Sequence, residues 1–239
     1  MTKASLKLQH EQSFLGILWY LLGPAMLFGI LVYVFGGRLG ADIPHYPLYL
    51  LLGIITWNFF STATSRCIGI FISNAALIKA MPIRLELLVL SAVVHAFVSH
   101  LIEIAIFIVV MFLYGVAPGQ LVGYACVLLF AFLFTCGMSM VLATLYVFAN
   151  DIGQIWSVVT RAWWFATPIF YAPSPTGPGA RYSLFNPLYD IISASREFLI
   201  YDRIPDRQVL VALAGFSVLS CVIGLVLFRF LRPRIVDYL

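Results

Sequence analysis

The stretch "LLVLSAVVHAFVSHLIEIAIFIVVMFL" (Leu87–Leu113) contains one charged residue, Glu103, and no proline or glycine. At about 1.5 Å of rise per residue a helix of this length crosses a hydrocarbon core of roughly 30 Å. Lipid offers backbone amides no partner, so the segment must pair its own N–H and C=O groups as a helix. Working outward, five further stretches meet the same test: Phe14–Phe35, Pro47–Ser65, Leu121–Phe148, Ile152–Tyr171 and Val209–Phe230. The fifth in chain order, Ile152–Tyr171, carries Arg161 and ends in Thr167-Pro168. Proline supplies no amide to the ladder, so a kink or an end is expected there.

Composition agrees. The chain has 239 residues, 62% hydrophobic and 10% charged, with a mean hydropathy of +1.01. Soluble domains hold roughly 45–50% apolar and about 25% charged residues. The expected fold is therefore an all-α polytopic membrane protein with six transmembrane helices, forming a single transmembrane domain over 1–239. The net charge of +4 is dispersed and forms no basic block for nucleic acid. Cys67, Cys126, Cys136 and Cys221 form no CxxC, so neither a disulfide framework nor a metal site is expected. The first apolar run is too long for the core of a cleavable signal.

Lysine and arginine set the expected orientation. With residues 1–13 inside, the inner segments hold Lys3, Lys7, Arg66, Lys79, Arg84, Arg229, Arg232 and Arg234. The outer ones hold Arg38, Arg181, Arg196, Arg203 and Arg207, four of them offset by Asp190, Glu197, Asp202 and Asp206. Both termini, including the 231–239 tail, are expected in the cytoplasm.

Two connections exceed simple turns. The inner loop at 66–86, around "SNAALIKAMPIR", reads as a short surface helix interrupted by Pro82. The outer segment at 172–208 opens with "APSPTGPG" and continues with Asn186-Pro187, an N-cap followed by proline at the first helical position. Leu188, Ile191, Ile192, Ser195, Phe198 and Leu199 share one face of the helix that follows, with Asp190, Arg196 and Glu197 largely on the other. Such a helix is too short to span, so it lies at the interface or dips in as a re-entrant element.

No phosphate loop, dinucleotide fingerprint or nucleophile–base pair occurs, so the chain is expected to be a transport subunit without catalytic residues. Ser217/Cys221, Ser220/Gly224 and Ser139/Ala143 recur at four-residue spacing and, with Gly137, suit close helix packing inside the bundle. Interfacial belts account for about half of the clustered aromatics. The rest suit a passage lined by flat rings that stack on sugars, for which Tyr33, Trp57, Phe60, Trp164, Phe170 and Tyr171 are the candidates. Ionisable residues inside spans are functional candidates: His95, His100, Glu103 and Arg161. Glu103 and Arg161 lie at equal sequence distances from Leu113 and Tyr171, so an ion pair at equal depth is expected, with His100 one turn from Glu103.

"FLGILWYLLGP" (14–24), "VFG" (34–36), "YPLYLLLGIITWNFFS" (46–61), "NAALIKAMPIR" (74–84), "ND" (150–151), "TPIFY" (167–171) and "NPL" (186–188) occur in an order that resembles the inner-membrane permeases of polysaccharide-export ABC transporters, the O-antigen, teichoic-acid and capsule type. The similarity covers nearly the whole chain. It departs at "KLQHEQ" (7–12), where the family has a longer lead often bearing Arg-Tyr, and at Asn150-Asp151, where Arg-Asp is usual.

The resemblance implies a bacterial inner-membrane permease that forms a homodimer, pairs with two copies of a separate ATPase that binds ATP and Mg, and passes a polysaccharide or lipid-linked glycan. Asn74–Arg84 would match the coupling helix, with Asn74, Leu77, Ile78, Lys79 and Pro82 meeting the ATPase beside Asp151. The outer segment would match the short helices that shape the channel exit. Competing readings are the same architecture exporting a lipid, drug or other small molecule, and a proton-coupled carrier using His95, His100 and Glu103. A membrane-embedded enzyme comes last.

Overall fold

The computed structural model describes residues 18–37, 40, 42–81, 83–172 and 185–239, with side chains for all of these except 18–25 and 236. The readings made above on Lys3, Lys7, residues 14–17, Arg38, Pro82 and Arg181 lie outside the described residues. Among those described, every regular element is helical: α1 (Leu18–Phe35), α2 (Tyr46–Cys67), α3 (Ile70–Ser73), α4 (Ala75–Ala80), α5 (Leu85–Leu113), α6 (Leu121–Phe148), α7 (Ile152–Ala166), α8 (Pro187–Leu199) and α9 (Arg207–Tyr238). Four of them, α2, α5, α6 and α9, are long and apolar enough to cross a membrane.

The most enclosed of the four is α2, which packs against α1, α5, α6, α7 and α8. Its apolar residues Leu48, Leu50, Leu52, Phe60 and Ala63 are fully buried. Several of its polar residues are satisfied locally or by neighbours, as a helix without water requires, although Thr56 Oγ1 is buried without a hydrogen-bond partner among the described residues. Thr64 Oγ1 donates to Phe60 O (2.8 Å), and Trp156 Nε1 of α7 donates to Thr64 Oγ1 (3.2 Å).

The closest helix pair is α6 with α9. A Cβ added to Gly137 would strike the Ser220 and Cys221 backbone, and one added to Gly224 would strike the Gly137 backbone. Ser220 Oγ also donates to Phe134 O at 3.0 Å. The small residues therefore serve packing within the bundle, where dispersion between touching backbones holds the pair.

The long helices alternate in direction, so chemistry segregates to two ends. One end carries Arg66, Arg84, Arg229, Arg232 and Arg234 and is called the arginine end below. Arg232 there binds Glu86 at 3.2 Å, and the Phe148 and Tyr238 rings meet at 5.0 Å. At the opposite end, Gly119 N and Gln120 N donate to the Leu199 and Phe198 carbonyls, which closes the C-terminus of α8. Tyr201 Oη donates there to Pro44 O at 3.1 Å.

Two local expectations match. The Asn186 side chain caps α8, accepting from Leu188 N (3.2 Å) and Tyr189 N (3.4 Å), with Pro187 at the first helical position. The helix before Pro168 ends at Ala166. That end leaves α7 with 15 residues, shorter than the Ile152–Tyr171 span read from hydropathy.

Asp190 and Arg196, opposite the apolar face of α8, are buried as well, because α8 packs on α2, α6 and α9. A lone helix lying on a surface has two environments, whereas one enclosed by three neighbours has none to spare for solvent.

Candidate functional site

The chain after α7 runs through Thr167-Pro168-Ile169-Phe170-Tyr171 without helical hydrogen bonding to protect its carbonyls. Four successive carbonyls each receive a side-chain donor. Arg196 of α8 donates from Nη1 to Pro168 O (2.9 Å) and from Nη2 to Ile169 O (2.8 Å). Tyr46 Oη donates to Phe170 O and Tyr49 Oη to Tyr171 O, both at 2.9 Å. Tyr46 and Tyr49 are three residues apart on α2, hence on one face. Arg196 Nε reaches α2 as well, donating to Tyr49 O at 3.1 Å.

The geometry depends on two further features. The guanidinium carbon of Arg196 lies 3.3 Å from the Tyr49 ring centroid, so the ring face balances a cation that has no acidic partner among the described residues. Gly53 leaves the space, since a Cβ there would sit 2.6 Å from Arg196 Nη2. Arg196 is 3% exposed. A planar fork with several fixed donors suits such a set of carbonyls, which a single ammonium cannot span. The segment 167–171 is thus a strap strapped onto α2 by α8, and Asn186 fixes its start by donating from Nδ2 to Thr167 Oγ1 (2.9 Å).

The aromatics divide into two groups. Phe35, Trp164, Phe165, Phe170 and Tyr171 surround the strap. Phe170 stacks on Trp164 (5.3 Å) and on Phe35 (5.4 Å), and meets Tyr171 edge-on at 5.1 Å. Tyr33, at 91% exposure, projects from α1. The second group is Trp57, Phe60, Phe134, Trp156 and Trp163, packed inside the protomer with Phe60 only 1% exposed. Trp57 and Phe60 are thereby corrected from passage lining to core. They lie on the face of α2 that meets α6 and α7, so protein and not an open path surrounds them.

The polar residues of the spans also rearrange. Glu103, 8% exposed, accepts from Asn58 Nδ2 of α2 at 3.3 Å and lies 3.6 Å from His100 Nδ1. The His100 ring stacks on Phe59 at 4.9 Å. A cavity of about 20 Å³, lined among others by Asn58, Thr62, Arg66, Ser99, His100 and Glu103, adjoins them. That volume suits one water, which polar walls of this kind retain. His95 is half-buried on the same helix. Arg161 does not join this cluster. Its side chain is exposed on α7 and bonds its own helix through Nε to Ser157 O (3.0 Å). The expected Glu103–Arg161 pair is corrected accordingly: equal depth placed them level, but α5 faces α2 and α6, not α7.

At the arginine end, Asn74 separates α3 from α4 and donates from Nδ2 to Ile70 O at 2.8 Å. Gly69 makes the preceding turn with φ 73°, a conformation glycine adopts without strain. Lys79 is exposed and Leu77 half-buried, while Ile78 packs partly against the bundle core around Phe71, Val89 and Phe228. Asp151 is exposed immediately before α7. Gly153 lies beside Ile68, which places the 149–151 turn at the same end as the α3–α4 loop.

The sequence reading missed the Arg196 clamp. Its signal was present in the Tyr46/Tyr49 spacing, for which an interfacial belt was the simpler explanation. Asp190 was missed too: it is fully buried, and neither carboxylate oxygen has a hydrogen-bond partner among the described residues.

Residues 1–200 match the family described as ABC-2 type transporter. The O-antigen export system permease protein RfbA of Klebsiella pneumoniae is 26% identical over 242 residues, covering 100% of this chain and 93% of the relative. A protein of the same name from Myxococcus xanthus is 27% identical over 222 residues, with 91% and 85% covered. The polysialic acid transport protein KpsM of Escherichia coli is 25% identical, with 90% and 85% covered.

Proposed function

The chain belongs to the ABC-2 type transporter family, and from that premise we propose that it is the permease subunit of an ATP-driven exporter that moves a polysaccharide or lipid-linked glycan across the bacterial inner membrane. The observation that carries this reading is the full-length similarity to permeases named for O-antigen and polysialic acid transport. Energy comes from a separate ABC ATPase, present in two copies, that binds ATP and Mg.

In this reading α1 and α7 complete six spans, with the strap and α8 forming a re-entrant segment at the outer end. The arginine end faces the cytoplasm with both termini, as the positive-inside bias favours. The α3–α4 loop, with Asn74, Leu77, Ile78, Lys79 and Pro82, receives the ATPase stroke next to Asp151. Two copies enclose the channel. Support for the pairing comes from the apolar faces of α1 and α7, where Ile30, Val34, Ile155 and Val158 are exposed in the single chain.

The glycan passes Tyr33, Trp164, Phe170 and Tyr171 at the outer aperture. Flat rings grip sugar C–H faces without requiring a fixed sequence, which permits a polymer to slide. Arg196, Tyr46 and Tyr49 hold the strap that carries two of those rings, so they act on the aperture through position.

Deleting the gene in a strain that makes a surface glycan tests the reading. Lipid-linked glycan should accumulate on the cytoplasmic face and return to the surface on complementation. Unchanged surface glycan in the deletion strain would refute it.

A further inference from the structure

At 3.6 residues per turn, Gln154, Ser157, Arg161 and Trp164 of α7 fall within about 80° of arc on its surface. The first three are exposed and Trp164 is half-buried. Trp156 and Thr160 lie on the buried side, where Trp156 bonds Thr64 of α2. Ile155, Val158 and Phe165, each more than half exposed, occupy the remaining arc. The open surface of α7 therefore divides into a polar edge and an apolar edge. Arg161 stands nine residues beyond Ile152, about 14 Å along the axis. Its Nε donates to Ser157 O at 3.0 Å and its Nη2 to Ser157 Oγ at 3.4 Å, so the side chain lies back along the helix and keeps its charge at that depth. Among the described residues, Nη1 makes no hydrogen bond and no carboxylate pairs with the guanidinium. Asp151, ten residues and about 15 Å away at the start of the helix, is out of reach.

With α7 as one of six spans, this cation sits near the middle of the bilayer. Lipid against it is costly, so a charge at such depth faces an aqueous path or a partner. A seam between two copies along the polar edge is disfavoured, because Gln154, Ser157 and Trp164 bring no acid and arginine would meet arginine. The same edge leads outward to Trp164, whose ring stacks on Phe170 of the outer aperture at 5.3 Å. Building on the transport reading, which it requires, we propose that the polar edge of α7 lines the export path and that Arg161 binds an anionic oxygen group of the cargo, a phosphate or a carboxylate. A guanidinium with donors to spare takes either group through paired N–H bonds. Trp164 offers a flat face to sugar rings about one turn further out, so charge and stacking act on adjacent parts of one polymer.

The first test needs no glycan. The chain with its ATPase in membrane vesicles, carrying Ser157→Cys, is treated with membrane-impermeant thiol reagents of opposite charge, and modification is read above that of the native cysteines. Relative to a free thiol, the anionic reagent should gain roughly tenfold over the cationic one, and adding Arg161→Gln should remove that gain. Ser157→Cys that stays unreactive both at rest and during ATP turnover, or a ratio unchanged by Arg161→Gln, would overturn the proposal. In the exporting strain, Arg161→Gln should lower surface glycan severalfold at unchanged chain abundance, and Arg161→Lys should restore most of it. Undiminished export in Arg161→Gln would also overturn the proposal. A defect that grows with glycan length assigns the bound group to the polymer repeats, and one independent of length assigns it to the phosphate of a lipid link. Surface glycan that persists in the deletion strain defeats the transport reading, whereas the reagent ratio tests the charged path without any cargo.

Discussion

Arg196 of α8 and Tyr49 of α2, 147 positions apart in sequence, form the joint on which the strap depends: the guanidinium donates to Tyr49 O at 3.1 Å and caps the Tyr49 ring at 3.3 Å. Replacing Arg196 with methionine leaves the buried strap carbonyls of Pro168 and Ile169 unmet, a loss of about 2 kcal/mol or more. Arg196→Lys keeps the charge but not the fork, so it should recover only part of that loss. Tyr49→Phe keeps the ring and loses one bond, about 1 kcal/mol. Thermal denaturation in one detergent should rank them in that order. Full stability in Arg196→Lys would show that charge alone suffices.

The two aromatic groups should separate by assay. Phe60→Ala removes a fully buried ring, costing about 3–5 kcal/mol, and should lower folded yield. Trp164→Ala and Tyr33→Ala should leave yield near normal and reduce export of long glycans. Equal losses of yield and export at all three positions would assign every ring to packing.

Double-mutant cycles distinguish the partners of Glu103. Coupling between Glu103→Leu and Asn58→Leu should reach about 1 kcal/mol, since each single change strands the other group. Coupling between Glu103→Leu and Arg161→Met should be near zero, because Arg161 bonds its own helix. A large second value would restore the pair that hydropathy suggested.

The α3–α4 loop yields a split prediction. Leu77→Asp should abolish stimulation of the partner ATPase while the chain still folds. Ile78→Asp should reduce folded yield as well, because Ile78 packs on the bundle core. ATPase stimulation that survives Leu77→Asp places the contact elsewhere.

Asp190→Asn should raise thermal stability by about 1–3 kcal/mol, the gain from replacing a buried carboxyl that lacks a partner among the described residues. Natural chains keep such costs where function uses them, so export should fall in the same variant. Neutral effects on both would mean that the carboxyl finds a partner in the assembled transporter.

The long spans were legible because hydropathy and length act through lipid, which treats every apolar run alike. The Asn186 cap and the helix end before Pro168 were legible because each follows from local backbone chemistry. Tertiary partners were not. Glu103 and Arg161 share a depth, but which helices are neighbours depends on packing that no periodicity encodes. Arg196 misled for a related reason: a buried arginine satisfied by carbonyls looks, in sequence, like one facing water. Trp57 and Phe60 misled because rings in a core and rings along a passage have the same composition.

The most direct test of the transport claim reconstitutes the chain with its ATPase in proteoliposomes and follows a lipid-linked glycan into protection from an external glycosidase. ATP-dependent protection that survives an uncoupler and disappears with a hydrolysis-deficient ATPase is the predicted result. Protection driven by a proton gradient without ATP would contradict the account.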